Sequence, residues 1–372
     1  MAKHPDVLVI GGGIIGLTSA YFLAQAGLSV EVLDRGDLGR EASWAGAGII
    51  PPGNPDRAAT PIDKLRAIGS VRFPELAAEL HERTGLECGY LRCGGVEFLS
   101  PEDTDILPVW NAEGIRHERL DDSALHRLEP RAKAVPGTVP YHLPDCAQVR
   151  NPWHLRALIA ACRSAGVVLR PHTEVSALEA PVRDAESILT RQAVLIATGA
   201  WAKELLTGPN RVPPLVYPVR GQIVLFRPPT PVLTRVLMFG KRYLVPRADG
   251  RVLVGSTEEP EAGFEKANTP EAVRGLTEFA WSVVPELREA TVEKTWAGLR
   301  PGSPDGMPFI GPVPGYSNVF AAVGHFRAGI QLSIGTAEMV RDLITDKLPA
   351  VPADAFRLDR TPDLTARPAF RS

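Results

Sequence analysis

The sequence predicts an α/β fold in which a sheet of buried parallel strands is interrupted by a second sheet of mostly antiparallel strands. Three observations predict it. Residues 6–34 hold an apolar run, a helix-like pattern and a second apolar run, which together make a βαβ unit of about 30 residues. The apolar run at 193–197 is typical of another strand buried on both faces. Strand-like runs dominate 219–255, and the turn signal Ala248-Asp249-Gly250 indicates a hairpin between two of them.

The other elements follow from the apolar spacing and from the residues that break it. The first helix is expected at 14–26 and ends at Gly27, which can cap its C-terminus. Further helices and strands are predicted from the same patterns. The helices are 61–84, 151–165, 269–284 and one from Gly324 to about 346, and the strands are 222–226, 243–246, 251–254 and 318–323. On the helix 61–84, the side expected to be buried carries Leu65, Ile68, Val71 and Leu80.

Composition excludes several classes of protein. A length of 372 residues predicts two to three domains, and 44% hydrophobic residues exclude disorder for most of the chain. The net charge of −2, without a Lys/Arg-rich block, argues against nucleic acid or an acidic membrane as partner. The glycine-punctuated segment 7–32 is interpreted as neither a signal peptide nor a membrane span. The protein is therefore expected in the cytoplasm.

The cysteines indicate neither a disulfide scaffold nor a metal site. They number four, and although Cys88 and Cys93 are close in sequence, no second pair with histidines completes a zinc set. All are interpreted as free thiols of a reducing compartment, and no metal is predicted. The full set is Cys88, Cys93, Cys146 and Cys162.

The motif Gly11-Gly12-Gly13-Ile14-Ile15-Gly16 follows the first strand and opens the first helix. In this setting Gly11 permits the tight turn, Gly13 lets the backbone approach a pyrophosphate, and Gly16 lets the helix pack against the strand. The helix N-terminus offers unpaired N–H groups to the phosphates. Asp34 ends the next strand, where an acid accepts the ribose hydroxyls. The pattern predicts a Rossmann-like dinucleotide site, and the alternative is a purely structural glycine turn.

Three features favour FAD over NAD. The chain has no second fingerprint of this kind, so it provides one dinucleotide site. Thr198-Gly199 after the strand at 193–197 gives a second close backbone approach. The glycine-flanked segment 324–330 opens the last helix, whose dipole could favour the negative charge that a reduced flavin develops. Taken alone, that segment could equally be an ordinary helix start.

The sequence resembles the D-amino-acid oxidase (DAO) family of flavoproteins across nearly its whole length. The segments that carry the resemblance are VIGGGIIG, VEVLDRG, REASWAGAGII, VLIATGAW, YLVPRADGRVLVGST, WAGLRPGSPDGMPFIGP and GHFRAGIQLS. The resemblance implies a Rossmann-like FAD-binding domain with an inserted, mostly antiparallel substrate domain. The FAD-binding domain is expected to comprise 1–86, 148–216 and 297–352, the substrate domain 87–147 and 217–296, and a surface tail 353–372.

The family also implies which residues contact the cofactor. Beside Gly11, Gly13 and Gly16, the residues along the adenosine and pyrophosphate are expected to be Ile14, Ile15, Asp34, Arg35, Ala42, Ser43, Ala47, Gly48 and Ile49, with Val175 at the adenine. Thr198 and Gly199 are expected to provide the second close approach of the backbone to the cofactor. The flavin ring is expected to lie against His325, Phe326, Ala328, Gly329, Ile330 and Gln331. The small residues of 43–49 independently suit a segment pressed against a cofactor, the alternative being a flexible loop.

An amino-acid substrate needs an anchor for its carboxylate, and arginine provides a planar two-pronged donor. The family motifs single out Arg300 as that anchor, Arg327 as a second substrate contact and Tyr243 as a pocket tyrosine. Hydride transfer from the substrate Cα to flavin N5 requires no protein base. No catalytic residue is therefore predicted, and His325 is interpreted as a packing or flavin-edge residue.

The resemblance implies oxidative deamination of glycine, with sarcosine and small D-amino acids as side substrates, to the imine and 2-oxo acid. Oxygen is the expected acceptor, with hydrogen peroxide as product, and the imine would feed thiamine biosynthesis. The alternatives are a D-amino-acid or proline-type dehydrogenase that uses quinone, a nicotinamide-dependent Rossmann reductase, and a non-catalytic flavin-binding protein.

Two features of the chain depart from the family or from its relatives. The residues near Met238 and Glu258 differ from the usual pocket. Glu258 is expected to face solvent, and pointing inward it would favour a cationic side chain or a secondary amine. The flavin is expected to be noncovalent, because no cysteine falls in 300–312. A homo-oligomer, with a tetramer as the form expected from the family, is also predicted.

Overall fold

The structure is a computed structural model that describes residues 4–178, 192–206 and 215–364. Its α-helices are Ile14–Gln25 (α1), Ala42–Ala45 (α2), Pro61–Thr84 (α3), Ile106–Glu113 (α4), Asp122–Leu128 (α5), Asn151–Ser164 (α6), Ala202–Leu206 (α7), Pro270–Val283 (α8) and Gly329–Ile344 (α9).

The strands form three sheets within these residues. They are Val7–Ile10 (β1), Val30–Leu33 (β2), Ile49–Ile50 (β3), Gly95–Leu99 (β4), Glu118–Arg119 (β5), Val139–Leu143 (β6), Ala147–Gln148 (β7), Val168–Arg170 (β8), Ala193–Ile196 (β9), Tyr217–Arg227 (β10), Val236–Phe239 (β11), Arg242–Pro246 (β12), Val252–Gly255 (β13), Thr291–Gly302 (β14), Phe309–Pro312 (β15) and Val319–Val323 (β16). The smallest sheet pairs β3 with β7.

The first large sheet has six strands in the order β15-β16-β9-β1-β2-β8. Its central strand β1 runs parallel to both β2 and β9, and every residue of β1 is buried. Burial on both faces explains why β1 is uniformly apolar. The carboxyl ends of parallel strands meet at one edge of a sheet, so the glycine turn after β1, Asp34 after β2 and Thr198 after β9 come together there.

The helix α1 is held between this sheet and its neighbouring helices. All ten residues from Ile14 to Leu23 are buried, so the helix is apolar or small on every side. It packs against α9 and α6, and the three helices contribute to one apolar cluster with the inward side of β1. This packing fixes where the N-terminus of α1 points.

The second large sheet has eight strands in the order β14-β10-β13-β12-β11-β4-β6-β5. It is antiparallel except for the pair β11–β4. The mixed α/β architecture with an antiparallel part confirms the predicted fold class. Strand β14 runs without a break through the predicted domain boundary between 296 and 297, and the division into domains stays a prediction.

The fold differs from the predicted elements at three places. Val71 is 44% exposed, because it lies about 200° around the helix from the buried Gly69 and Phe73. The last helix begins at Gly329 rather than Gly324, since 326–328 form a 3-10 turn first. The predicted surface tail is partly buried, at Phe356 and Leu358.

The segment 353–358 packs into the protein instead of lying over its surface. Phe356 and Leu358 are fully or almost fully buried. Arg360 then pairs with the buried Asp305 and donates to the carbonyl oxygen of Met307 at 3.1 Å. Two apolar side chains and a buried ion pair therefore anchor this part of the tail. Residues 365–372 of the predicted tail lie outside the described residues.

The four cysteines are free thiols, as predicted. Burial raises the pKa of both Cys88 and Cys162 to about 12. Because the thiolate is the reactive form, these thiols are inert at neutral pH.

Residues 4–178, 192–206 and 215–364 carry neither a candidate membrane span nor a candidate metal cluster. Within them, no helix combines the length and the apolar character that crossing a bilayer requires. The same ranges bring no three or more His, Cys, Asp or Glu side chains together in a way that could hold a metal ion.

Candidate cofactor and substrate site

A cavity of about 440 Å³ connects the carboxyl edge of the parallel sheet with the face of the antiparallel sheet. Its volume lies in the range of about 300–1,000 Å³ that small-molecule sites occupy. It brings together every predicted site residue except Gly16, which lies just behind its wall. The contacts of these residues with a cofactor or substrate stay predictions.

The glycine turn needs glycine at the positions where the sequence has it. Gly11 has a φ of +108°, and a Cβ atom there would overlap the carbonyl oxygen of Ala197 on β9. A Cβ atom on Gly16 would overlap the carbonyl oxygen of Gly11 itself. Because both obstacles are backbone atoms, neither can move aside. The first turn of α1 is thereby held against the end of the sheet with its N–H groups at the cavity.

Asp34 lies at the end of β2 and faces the glycine turn. Its two carboxylate oxygens accept hydrogen bonds from the Gly12 amide at 2.7 Å and the Gly36 amide at 2.8 Å. Burial raises the pKa of Asp34, and the two amides oppose that change. Each oxygen keeps a second lone pair, so the carboxylate can still accept from ribose hydroxyls.

The segment 42–49 forms one wall of the cavity and is held by hydrogen bonds, unlike a flexible loop. Asn151 donates from Nδ2 to the carbonyl oxygen of Ser43 at 2.7 Å, and Trp296 donates from Nε1 to that of Ala45 at 3.0 Å. Ser43 in turn accepts the Ile14 amide of α1 through its hydroxyl at 2.9 Å. The segment is thus fixed to the helix start that faces the phosphate region.

Arg247 holds the same segment from the antiparallel sheet, and sequence reasoning missed it. It donates to the carbonyl oxygen of Ala47 at 2.8 Å and to Oε1 of Gln148 at 2.8 Å. Burial lowers its pKa to about 10, which leaves it charged at neutral pH. Its place at the end of YLVPR, a motif already noted, was the signal that could have found it.

The residues at the dinucleotide end fit the cofactor that the sequence predicts. Glycines leave the backbone open, the first turn of α1 begins at the cavity, and Asp34 can bind a ribose. Arg35 stacks over the ring of Trp201 at 4.0 Å, and both line the cavity. The buried hydroxyl of Thr198 also lines it and has no hydrogen-bond partner among the described residues. A bound dinucleotide could satisfy that hydroxyl.

His325 lies in the cavity wall, where its ring is buried. Its Nε2 is 3.0 Å from the hydroxyl oxygen of Thr336 on α9. Burial lowers the pKa of His325 to about 3, so the ring is neutral at neutral pH. This agrees with the interpretation of His325 as a packing residue rather than a base.

Arg300 lies on β14 at the substrate end of the cavity. It donates to the carbonyl oxygen of Thr257 at 3.1 Å and to the hydroxyl of Ser256. Burial lowers the pKa of Arg300, while Tyr243 opposes this as a hydrogen-bond partner. The ring of Tyr243 has room because Gly255, the residue paired with it on the neighbouring strand, has no side chain. A Cβ atom on Gly255 would lie 2.6 Å from that ring.

Arg327 also lies at this end of the cavity, and its guanidinium donates to two other groups of the protein. It donates to Oε2 of Glu258 at 2.9 Å and to the carbonyl oxygen of Lys241 at 3.0 Å. Glu258 was expected to face solvent. Instead its side chain is 21% exposed and pairs with the buried side chain of Arg327. Neither Glu258 nor Met238 lines the cavity. Met238 is fully buried in the apolar cluster behind Tyr243.

Sequence reasoning also missed the far wall of the cavity, which comes from α3, β4 and α4. Arg66 of α3 lines it and pairs with the buried Glu113 at 3.1 Å. Glu97 of β4 and Trp110 of α4 line it too. Glu97 is in register with Met238, the neighbour of Tyr243. Only the strand pairing places it near the substrate end, so no local pattern could have indicated it.

Gly221 offers a probe of Arg300 that leaves the backbone intact. A Cβ atom on Gly221 would overlap the guanidinium of Arg300, which is the flexible end of a long side chain. We expect Gly221→Ala to fold and to bind flavin normally. We expect it to raise KM for the amine substrate about tenfold, because it displaces a charge-assisted anchor. Steady-state kinetics with flavin content as control checks this, and an unchanged KM would contradict the placement of Arg300.

Comparison with known proteins identifies the family of this chain. The profile of the DAO family, described as FAD dependent oxidoreductase, matches residues 6–343. The chain is 36% identical to the glycine oxidase of Pseudomonas putida, over 93% of this chain and 96% of that protein. It is 36% identical to the bifunctional protein ThiO/ThiG of Synechocystis, over 99% of this chain and 57% of that protein.

A solved structure gives the same result. The crystal structure of glycine oxidase from Geobacillus kaustophilus matches with a TM-score of 0.87 and 31% identity, over 96% of this chain and 99% of that chain. The predicted enzyme class and cofactor are thereby confirmed, and a nicotinamide-dependent reductase is excluded. Since the family profile spans nearly the whole sequence and the cavity fits a dinucleotide, this chain belongs to the DAO family of FAD-dependent oxidoreductases.

Proposed function

We propose that this protein catalyses the oxidative deamination of glycine, and of other small amines such as sarcosine and small D-amino acids. The products would be hydrogen peroxide and the imine, which water can hydrolyse to the 2-oxo acid with release of ammonia or of the primary amine. The observation that carries the proposal is the buried guanidinium of Arg300 at the end of the FAD cavity, beside Tyr243. The relatives named glycine oxidase support the choice of substrate. The relative named ThiO/ThiG supports thiamine biosynthesis as the route that uses the imine.

The residues at the substrate end would bind and orient the amine. Arg300 offers its remaining N–H groups to the carboxylate in a planar fork, and its hydrogen bonds to the carbonyl oxygen of Thr257 and the hydroxyl of Ser256 keep that fork in place. Tyr243 would hold the second side of the carboxylate. With the carboxylate fixed, rotation about one bond decides where the Cα–H points. Buried residues of three strands, Ile223 of β10, Tyr243 of β12 and Leu299 of β14, form the wall at this end.

When bound, FAD supplies the two-electron acceptor for oxidation of the amine. The described residues at this end do not need to provide a base, and the neutral His325 does not offer a charged group there. The protein's contribution is therefore to position the substrate and to provide the electrostatic environment of the reaction. We also propose that the flavin is held noncovalently, since none of the four cysteines lines the cavity.

We infer that oxygen is the acceptor, that the protein works in the cytoplasm, and that it forms a homo-oligomer, with a tetramer as the expected form. We also propose the division into an FAD-binding domain and a substrate domain, which the separate parallel and antiparallel sheets support. Light scattering of the purified protein checks the oligomer.

A substrate panel tests the proposed reaction. We expect oxygen uptake and equimolar peroxide with glycine, and lower kcat/KM with sarcosine, D-alanine and D-proline. A parallel assay offers a soluble quinone under anaerobic conditions. If quinone is reduced while oxygen is not consumed, the enzyme is a dehydrogenase of the alternative kind. If none of the amines supports turnover with either acceptor, the proposed function is wrong.

A further inference from the structure

The three residues after β13, Ser256 to Glu258, contact both substrate-side arginines. Ser256 and Thr257 accept hydrogen bonds from Arg300 through the hydroxyl and the carbonyl oxygen. Glu258, the next residue, accepts from Arg327 at 2.9 Å. One short stretch of chain therefore sets the positions of both guanidinium groups.

Glu258 stands behind Arg327 with respect to the cavity. Arg300 and Arg327 line the cavity, whereas Glu258 does not. The side chain of Arg327 is only 5% exposed, and that of Glu258 is 21% exposed. Partial burial alone would raise the pKa of Glu258, but hydrogen bonds from Lys241 and Arg327 outweigh it and keep the pKa below its usual value. The carboxylate is thus ionised at neutral pH and neutralises Arg327 directly.

Glu258 therefore neutralises Arg327, whereas Arg300 donates to two neutral groups, the carbonyl oxygen of Thr257 and the hydroxyl of Ser256. The positive charge of Arg327 and the negative charge of Glu258 both act on Arg300. Lys241, the other cation near Glu258, has a side chain that is 69% exposed and is screened by solvent. One uncompensated guanidinium matches a substrate with one carboxylate. A site with two uncompensated guanidinium groups would match a substrate with two carboxylates.

We propose that Glu258 is a positioning residue that holds Arg327 and restricts the substrates of this enzyme to amines with a single carboxylate. The proposal rests on the proposed function, and it assigns the substrate class by charge. Glu258 does not touch the substrate. It acts by accepting from Nη1 of Arg327 and by neutralising its charge, so that Arg327 does not bind a second carboxylate.

The test compares one-carboxylate and two-carboxylate amines in wild type and Glu258→Gln. Glycine is the first kind, and iminodiacetate and D-aspartate are the second. We expect the ratio of kcat/KM for the dicarboxylates to that for glycine to rise about tenfold or more in Glu258→Gln, mainly through KM. Glu258→Asp keeps the charge and is expected to return the ratio toward wild type. A general structural defect would lower all rates together and leave the ratio unchanged.

Glu261→Gln is the matched control, because it removes the same charge from an exposed glutamate three residues away. We expect it to keep the wild-type ratio. If it changes the ratio as much as Glu258→Gln does, or if Glu258→Gln leaves the ratio unchanged, the proposal is wrong.

A binding experiment separates this proposal from the proposed function. Acetate and malonate are titrated into each holoenzyme, and the shift of the flavin absorbance reports binding without turnover. We expect wild type to bind acetate more tightly than malonate, and Glu258→Gln to reverse or abolish that preference. Equal preferences in the two proteins would overturn the role of Glu258 even if glycine is oxidised. A wild type that turns over no amine contradicts the proposed function, while the titration still decides the role of Glu258.

Discussion

Arg300→Ala is expected to lower kcat/KM for glycine about 10- to 150-fold. This range corresponds to about 1.5–3 kcal/mol for the loss of a hydrogen bond to a charged group. The arginine is the group that we assign to the substrate carboxylate, and it is positioned by Ser256 and Thr257 at the end of the cavity. Without it the carboxylate meets a buried wall that offers fewer donors. Steady-state kinetics with varied glycine measures the effect.

Two further variants make the result specific. Arg300→Lys keeps the positive charge but loses the planar fork, so we expect an intermediate loss. Arg274→Ala removes an exposed arginine from α8 and is expected to change nothing. Flavin content should stay at the wild-type level in all three proteins, because the changes lie away from the dinucleotide end. An Arg300→Ala enzyme with wild-type kcat/KM would remove this residue from the site.

Gly16→Ala is expected to abolish or strongly reduce flavin binding. Its new Cβ atom would overlap the carbonyl oxygen of Gly11, which belongs to the glycine turn itself. To make room, α1 must move away from the sheet, and overpacking of this kind costs about 1–3 kcal/mol. The amides at the start of α1 then lose their place beside the phosphates. The flavin released by acid precipitation per protein, together with the melting temperature, measures both effects.

Gly275→Ala provides the matched control for that change. Gly275 lies within α8, and a Cβ atom there meets nothing within 4 Å. Alanine is the better helix former by about 0.8–1.0 kcal/mol, so we expect equal or higher stability and normal flavin content. Normal flavin content in Gly16→Ala as well would show that close packing at this turn is not required for cofactor binding.

The parts of the fold that depend on local pattern could be predicted from the sequence. The unit β1–α1–β2 is such a part, because its strands are fully apolar and its glycines lie at fixed spacing. The hairpin between β12 and β13 is another, since Gly250 at its turn has a φ of +81° that few other residues adopt. Val71 shows the limit of this approach. An apolar residue was placed on the buried side of α3, although the neighbouring helices leave it exposed.

The parts of the site that depend on distant segments could not be predicted in the same way. Arg247 reaches the carbonyl oxygen of Ala47 across 200 residues of sequence, and no local pattern marks that pair. Glu258 was expected to face solvent, and its partner Arg327 lies 69 residues further along the chain. Sequence reasoning could identify the arginines from their motifs, but the groups that hold them depend on strand pairing and loop placement.

Anaerobic titration of the purified protein with glycine tests the central claim most directly. The claim is that FAD lies in the cavity with its reacting end beside Arg300 and that an amine held there reduces it. We predict a yellow protein whose visible flavin absorbance is bleached by glycine and returns on admission of air, and whose FAD is released by acid. A protein that neither carries nor takes up FAD, or a bound flavin whose absorbance glycine leaves unchanged, would contradict the account.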